Sequence, residues 1–207
     1  TKTQTDNVLL IVVLIWSLRL GLFLFRRILE DGHDTRFDKP KQSFFHFLQY
    51  WTGQAMWVSF TCIAVYVAMI SNEPNTLSPI SLIGVFIWIA GFIIEVIADG
   101  QKRNFRKDLN NKGRYISTGL WSRSRHPNYF GEITLWTGVS LIALTSLKGI
   151  GYVALISPFF VYALLSKGSG IPLLERSADK RWGDELDYEE YKKNTPVLFP
   201  KLFNNIK

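Results

Sequence analysis

The sequence predicts an all-α fold, a polytopic helix bundle embedded in a membrane. Hydrophobic residues make up 47% of the 207-residue chain, and they are gathered in long blocks rather than spread evenly. Basic loops separate these blocks, which is typical of multi-span membrane proteins. The loops alternate between basic and nearly neutral, as the positive-inside rule requires for successive crossings. We therefore expect a single membrane domain over residues 1–207 with about five transmembrane helices.

The predicted spans cover residues 8–25, 44–70, 79–98, 131–147 and 150–166. The first is an apolar run of 18 residues with one charge, Arg19. A charge at that depth most often faces the bundle interior, so we expect Arg19 to face inward. The second span is rich in aromatic residues, and Glu95 is the sole charge of the third. The last two are short and form a tight hairpin, tilted or not fully crossing.

Loop charge predicts the topology. The segments 26–43, 71–78, 99–127 and 148 carry five, none, eight and one Lys or Arg, and the tail after residue 166 carries eight. Basic loops and the C-terminus should therefore share the cytoplasmic side or its organellar equivalent. The first residue is Thr1 rather than methionine, so we expect that upstream residues, with further spans, have been removed.

The net charge of +7 lies in loops beside apolar spans. This placement favours anionic membrane lipids and a phosphate-bearing cofactor as partners, and it argues against nucleic acid. The single cysteine, Cys62, lies in an apolar block, which excludes an intrachain disulfide and a cysteine metal site. The acids around His33 match no standard ligand spacing, so no metal site is predicted. No serine or cysteine has the histidine and acid of a catalytic triad.

The tail at 167–207 should form an amphipathic surface segment that caps the cofactor site from the cytoplasmic side. Pro172 is suited to the first turn of a helix. Apolar and amphipathic residues then recur close to the 3.6-residue period, namely Leu173, Leu174, Ala178, Arg181, Trp182 and Leu186.

The stretch 119–136 is the candidate functional centre. It gathers two arginines, a histidine, an amide and a tyrosine, namely Arg123, Arg125, His126, Asn128 and Tyr129. Glu132 follows at the mouth of the next apolar span. Such groups are costly at a membrane surface without a polar ligand, which indicates an anionic cofactor. Neither a Rossmann glycine motif nor a P-loop occurs in the chain.

Several motifs give the chain a family resemblance. SRHPNYFGE, preceded by ADGQKRNFRK and GLW, resembles the steroid 5-alpha-reductase superfamily and is most similar to its bacterial and plant branch of multi-span reductase-like proteins. LRLGLFLFRRI with GHDTRFD, PLLERSADKRW with DYEEYKK, and the closing LFP extend the resemblance over nearly the whole chain.

The resemblance implies a fold of seven transmembrane helices around NADPH, which reduces a carbon–carbon double bond in a steroid, sterol or enone lipid. It implies that Asp99 and Arg106 contact the cofactor, because the D-x6-R spacing is retained, and that Asn128 holds the nicotinamide amide. The complete predicted cofactor set is Arg19, Asp99, Arg106, Arg125, His126, Asn128, Glu132, Arg176, Arg181, Tyr188 and Tyr191. The catalytic candidates are Tyr129, Glu132 and Tyr191.

Two departures from the family pattern leave other functions open. The family's carbonyl-polarising acid would lie upstream of Thr1, and its tyrosine partner is replaced by Trp16. One alternative is an S-adenosylmethionine-dependent membrane methyltransferase. The chain shares the RHPxYxG pattern with isoprenylcysteine carboxyl methyltransferase, which it resembles in this motif. Asn128 and the Asp99/Arg106 pair argue against this alternative. The other is a cofactor-binding or structural subunit of a larger membrane complex without catalysis.

Overall fold

The structure, a computed structural model, describes residues 4–32, 38, 40–71 and 76–201. These residues are helical with no strand among them, which confirms the predicted all-α class. The α-helices in the described part are α1 (Gln4–Asp31), α2 (Phe44–Thr61), α3 (Ile63–Ile70), α4 (Pro79–Lys107), α5 (Pro127–Ala143), α6 (Ser157–Ala163), α7 (Ile171–Trp182) and α8 (Leu186–Asn194). His33, residues 72–75 of the neutral loop and residues 202–207 lie outside the described residues.

The chain divides into two compact units. The first comprises Thr1–Gly84 and Val139–Ser157, and the second comprises Val85–Gly138 and Pro158–Lys207. The single membrane domain over residues 1–207 stays a prediction. The candidate functional centre at 119–136 belongs to the second unit.

In the first unit, the predicted span 44–70 is divided by a bend. Helices α2 and α3 meet at 58° around Cys62, whose φ of −90° and ψ of 5° depart from helical values. The Ser157 hydroxyl donates to the Thr61 carbonyl at 2.5 Å. A side chain that takes a helix carbonyl in this way is an established cause of helix bending. The uniform apolar sequence carries no sign of it.

Three helical stretches are long and apolar enough to cross a membrane, within the residues that the structure describes. They are Gln4–Glu30, Pro79–Lys107 and Gly149–Trp182, and the bent α2–α3 pair would make a fourth. The polytopic helix bundle is therefore confirmed, while five spans remain a prediction. The predicted span at 131–147 corresponds to α5, which has 17 residues and begins at Pro127. The predicted span at 150–166 begins as a 3-10 helix at Gly149–Ile156 before α6.

In the second unit, two helix ends differ from the sequence-based expectation. Helix α4 continues to Lys107, beyond the apolar block that ends at residue 98. Hydropathy locates only the apolar part, whereas the helix continues through Gln101, Lys102 and Arg103, which are good helix formers. The tail helix α7 ends at Trp182 rather than reaching Leu186, and the Gly183 N–H donates its last i→i−4 hydrogen bond, to the Asp179 carbonyl at 2.8 Å. A separate helix, α8, then begins at Leu186.

Candidate functional site

A close crossing of α4 and α5 brings together the acids and the amide of the predicted site. A Cβ atom at Gly91 would lie 2.5 Å from the Leu135 nitrogen, and one at Gly131 would lie 2.7 Å from the Gly91 carbonyl oxygen. Backbones can approach this closely only where both helices lack side chains. Two turns along α4 from this crossing, Asp99 accepts a hydrogen bond from the Asn128 amide at 3.2 Å.

The turn at Gly119–Ser122 is fixed to the C-terminal part of α4. The Leu120 N–H donates to the Gln101 side-chain carbonyl at 2.9 Å. The Trp121 indole N–H donates to the Ala98 carbonyl at 3.0 Å, and Trp121 is 3% exposed. The Lys102 ammonium lies 4.6 Å from the centroid of the Trp121 ring. These contacts set the position of the motif that follows the turn.

Glu175 on α7 bonds to both the arginine and the histidine of that motif. Its Oε2 atom lies 2.8 Å from an Arg125 Nη atom, and its Oε1 atom lies 2.7 Å from His126 Nε2. A carboxylate only accepts hydrogen bonds, so the imidazole proton is assigned to Nε2. One carboxylate thereby ties α7 to the arginine and histidine and fixes their orientation.

The same two side chains present buried polar atoms with no hydrogen-bond partner in the described part of the chain, namely Arg125 Nε and His126 Nδ1. Buried polar atoms in native proteins are nearly always satisfied. The His126 ring also stacks on Tyr129, with centroids 5.6 Å apart and 13° between the planes. Atoms left unsatisfied beside a cavity indicate groups that meet a polar ligand.

An open cavity of about 160 Å³ lies beside these residues in the second unit. The lining contains five cationic residues, Lys102, Arg106, Arg114, Arg125 and Arg181, and one carboxylate residue, Glu175. Aromatic residues also line it, namely Phe105, Tyr115, Trp121, Trp182, Tyr188 and Tyr191. Cations and flat apolar rings together fit a nucleotide that carries phosphates.

Four of these rings form a contiguous cluster. The Tyr115 centroid lies 5.8 Å from that of Trp182, 5.0 Å from Tyr188 and 5.3 Å from Tyr191. Polar atoms of the cluster are anchored on the backbone. The Tyr191 hydroxyl donates to the Trp121 carbonyl at 2.7 Å, and the Trp182 indole N–H donates to the Gly113 carbonyl at 2.6 Å. The rings therefore form one fixed wall of the cavity.

Burial keeps the tyrosine hydroxyls of this wall protonated. Burial raises the pKa of Tyr188 to about 12, and the neighbouring carboxylates of Glu175 and Asp179 raise it further. Burial likewise raises the pKa of Tyr191 above its usual value. Near neutral pH both hydroxyls are hydrogen-bond donors, and neither can serve as a base.

We expect alkaline pH to destabilise this unit through Tyr188. Its proton is held with a pKa of about 12 in the folded chain against the usual 10.0. Below pH 10.0, Tyr188 is protonated in both the folded and the unfolded chain, so its contribution to the free energy of unfolding is fully present. That contribution is lost as the pH rises through the folded pKa of about 12. The midpoint temperature of thermal unfolding should fall as the pH is raised from 10.0 to about 12. Tyr188→Phe keeps the ring and should have a shallower fall; equal slopes in both proteins would contradict the assignment.

The structure brings most of the predicted site residues together. Lining the cavity are Arg106, Arg125, His126, Arg181, Tyr188 and Tyr191. Asp99 and Asn128 bond to each other beside it, and Tyr129 stacks on His126. Glu132 follows Asn128 by one turn of α5 and is partly buried. Arg176 is exposed on α7 and is not among the lining residues. Arg19 lies in the first unit, with its guanidinium 5.4 Å from the Phe23 centroid.

Sequence reasoning missed several lining residues, and Glu175 is the most informative of them. It lies within PLLERSADKRW, three residues after Pro172, where Arg176 and Arg181 were assigned to the site but the acid was not. The available signal was its helical spacing from Ala178 and Trp182, which places an acid on the apolar side of the helix. Lys102, Arg114, Tyr115, Trp121 and Trp182 were likewise not assigned to the site.

Comparisons with known proteins give a family match and several relatives. The model of the family described as "Protein of unknown function (DUF1295)" matches residues 1–195. The chain is 33% identical over 125 residues to 3-oxo-5-alpha-steroid 4-dehydrogenase 1 of Macaca fascicularis, covering 60% of this chain and 42% of that protein. It is 27% identical over 213 aligned positions to the Delta(14)-sterol reductase ERG24 of Candida albicans, covering 96% of this chain and 44% of that protein.

A relative of another class is also matched. The chain is 32% identical over 123 residues to the probable O-methyltransferase ustE of Ustilaginoidea virens, covering 59% of this chain and 41% of that protein. The chain thus spans less than half the length of these curated relatives. No solved structure matches it.

Proposed function

Since the chain belongs to the DUF1295 family and is homologous to steroid and sterol reductases, we propose that it carries the nucleotide site of a membrane reductase. The cofactor would be NADPH, and the substrate would be a steroid, sterol or other lipid with a carbon–carbon double bond conjugated to a carbonyl. The observation that carries the proposal is the charge of the cavity, with five cationic lining residues against one carboxylate residue.

The charge balance supports a dinucleotide phosphate as the ligand. NADPH bears its negative charge on a pyrophosphate and on a third phosphate at the ribose. Arginine meets such groups through paired hydrogen bonds, and four of the five cationic lining residues are arginines. Arg125 still has a buried Nε–H to offer. The ring cluster supplies flat apolar surface for the heterocyclic bases.

Asn128 supports the placement of the nicotinamide end. Its amide nitrogen donates to Asp99 at 3.2 Å, and its carbonyl oxygen is a hydrogen-bond acceptor. A carboxamide N–H is a matching partner for that carbonyl. Nearby, Tyr129 and Glu132 on α5 are the groups proposed to meet the substrate.

When bound, the cofactor would supply a hydride to the carbon far from the carbonyl, and negative charge would develop on the substrate oxygen. The carbon next to the carbonyl would then take a proton from water, which completes the reduction of the double bond. The chain must donate a hydrogen bond to the charged substrate oxygen. Tyr129 is the proposed donor, because the Tyr191 hydroxyl proton is committed to the Trp121 carbonyl. Tyr191 would serve instead to fix the wall of the cavity beside the cofactor.

A methyltransferase is the second candidate, and the match to ustE favours it. Its cofactor, S-adenosylmethionine, carries a positively charged sulfonium and no phosphate. A cavity with a net excess of four cationic residues, from five against one, would repel that charge. Electrostatics therefore support the reductase over the methyltransferase.

Direct binding tests the two candidates without requiring turnover. We expect the purified protein in detergent to bind NADPH, with weaker binding of NADH and none of S-adenosylmethionine. Trp121 and Trp182 line the cavity, so quenching of tryptophan fluorescence is a suitable readout. Binding of NADPH should weaken as salt rises, because the site is open and its charges are screened. Saturable binding of S-adenosylmethionine without binding of NADPH would overturn the proposal.

A further inference from the structure

A segment near the end of the described chain lies along the backbone of the Arg125–His126 motif. Residues 196–201, here called the strap, exchange main-chain hydrogen bonds with residues 123–125. The Arg125 N–H donates to the Pro196 carbonyl at 2.9 Å, and the Lys201 N–H donates to the Arg123 carbonyl at 3.0 Å. The Phe199 ring also packs edge-on against Phe130, with centroids 6.1 Å apart. The strap therefore runs along the motif rather than touching it at one point.

Ser124 is the side chain that joins the strap to the site. Its hydroxyl donates to the Leu198 carbonyl at 2.8 Å, and the His126 N–H donates to that same hydroxyl oxygen at 3.2 Å. Ser124 is 0% exposed and Leu198 is 6% exposed. One buried hydroxyl thus links the strap to the backbone of the residue whose imidazole lines the cavity.

We propose that Ser124 is a positioning residue for the nucleotide site, acting through the strap on Arg125 and His126. The inference rests on the proposed function and extends it to a residue outside the cavity lining. Glu175 fixes the tips of the two side chains from α7, while Ser124 and the strap fix their backbone. Without the hydroxyl, the buried His126 N–H and the Leu198 carbonyl lose their partner, and the turn relaxes to satisfy them.

The test compares Ser124→Ala with Ser157→Ala. Ser157 is also buried, at 1% exposed, and its hydroxyl also donates to a backbone carbonyl, that of Thr61, but it lies in the first unit. Both variants should therefore lose thermal stability by similar amounts. We expect Ser124→Ala to raise the Kd for NADPH about tenfold, equivalent to one buried hydrogen bond, and Ser157→Ala to change it less than twofold.

A second readout separates positioning from the proposed function. The His126 imidazole resonances, measured in nucleotide-free protein labelled at its three histidines, should shift in Ser124→Ala and stay in place in Ser157→Ala. If the parent binds no NADPH, the proposed function fails and these resonances alone decide the role of Ser124. Unchanged His126 resonances together with an unchanged Kd for NADPH would overturn the positioning role of Ser124.

Lys201→Pro keeps the inference testable if Ser124→Ala does not fold. It removes the N–H that bonds to the Arg123 carbonyl at the far end of the strap, and residue 201 is exposed. The same two readouts should change in the same direction and by less. No change in either readout would overturn the coupling of the strap to the site.

Discussion

Replacing Gly131 with alanine should cause a large loss of stability. The added Cβ would lie 2.7 Å from the Gly91 carbonyl oxygen and 2.8 Å from the Glu95 nitrogen. Both are backbone atoms, so neither can rotate away and the helices must separate. Overpacking of this kind costs about 1–3 kcal/mol. Thermal unfolding in detergent should show a lower midpoint, with weaker NADPH binding because Asp99 and Asn128 are drawn apart.

Gly100→Ala is the matched control for this substitution. Gly100 lies on α4, and nothing lies within 4 Å of a Cβ built there. The same added methyl should therefore leave stability unchanged or raise it by up to about 1 kcal/mol through helix propensity. Equal midpoints for the two variants would show that the α4–α5 crossing is not close in the protein.

Replacing Arg125 with alanine should cause the largest loss of nucleotide affinity. Arg125 lines the cavity, is held by Glu175 and retains a buried Nε–H. A hydrogen bond to a charged group contributes about 1.5–3 kcal/mol, so the Kd for NADPH should rise by roughly tenfold to 150-fold. Arg125→Lys should also weaken binding, because a single ammonium cannot bond Glu175 and a phosphate in the geometry of a planar guanidinium.

Arg123→Ala serves as the control for charge. It removes the same charge two residues away, from an exposed side chain that does not line the cavity. Its Kd should stay within about twofold of the parent, since an exposed charge contributes little. Equal losses in Arg123→Ala and Arg125→Ala would indicate a diffuse surface potential rather than a built site.

Local sequence was sufficient to find the part of the site that a single turn supplies. Arg125, His126 and Asn128 lie within four residues, so their proximity required no knowledge of packing. Tyr188 and Tyr191 share a face of a short helix; Tyr191 was assigned from the resemblance of the tail, and Tyr188 from the polar groups that the tail carries. The all-α membrane class followed from hydropathy, because only helices of that length satisfy their own backbone in lipid.

Long-range pairing could not be read from the sequence. Glu175 is 49 positions from His126, and the apolar period of α7 does not say which polar residue its buried face carries. The bend at Cys62 was missed because Ser157, whose hydroxyl takes the Thr61 carbonyl, lies 96 positions from Thr61. Each of these features depends on which helices become neighbours, and composition alone does not determine that.

The glycine pair restricts how this protein can change over evolutionary time. Gly91 and Gly131 face each other, and each already carries the smallest side chain available. In most helix contacts, a gain of volume on one side can be compensated by a loss on the other, so lineages drift by paired substitutions. Here both positions are glycine, and no smaller residue exists. A substitution at Gly91 therefore cannot compensate for a larger residue at position 131, nor the reverse. Genetic suppressors of a Gly131 substitution should consequently map to positions other than 91, or be true revertants.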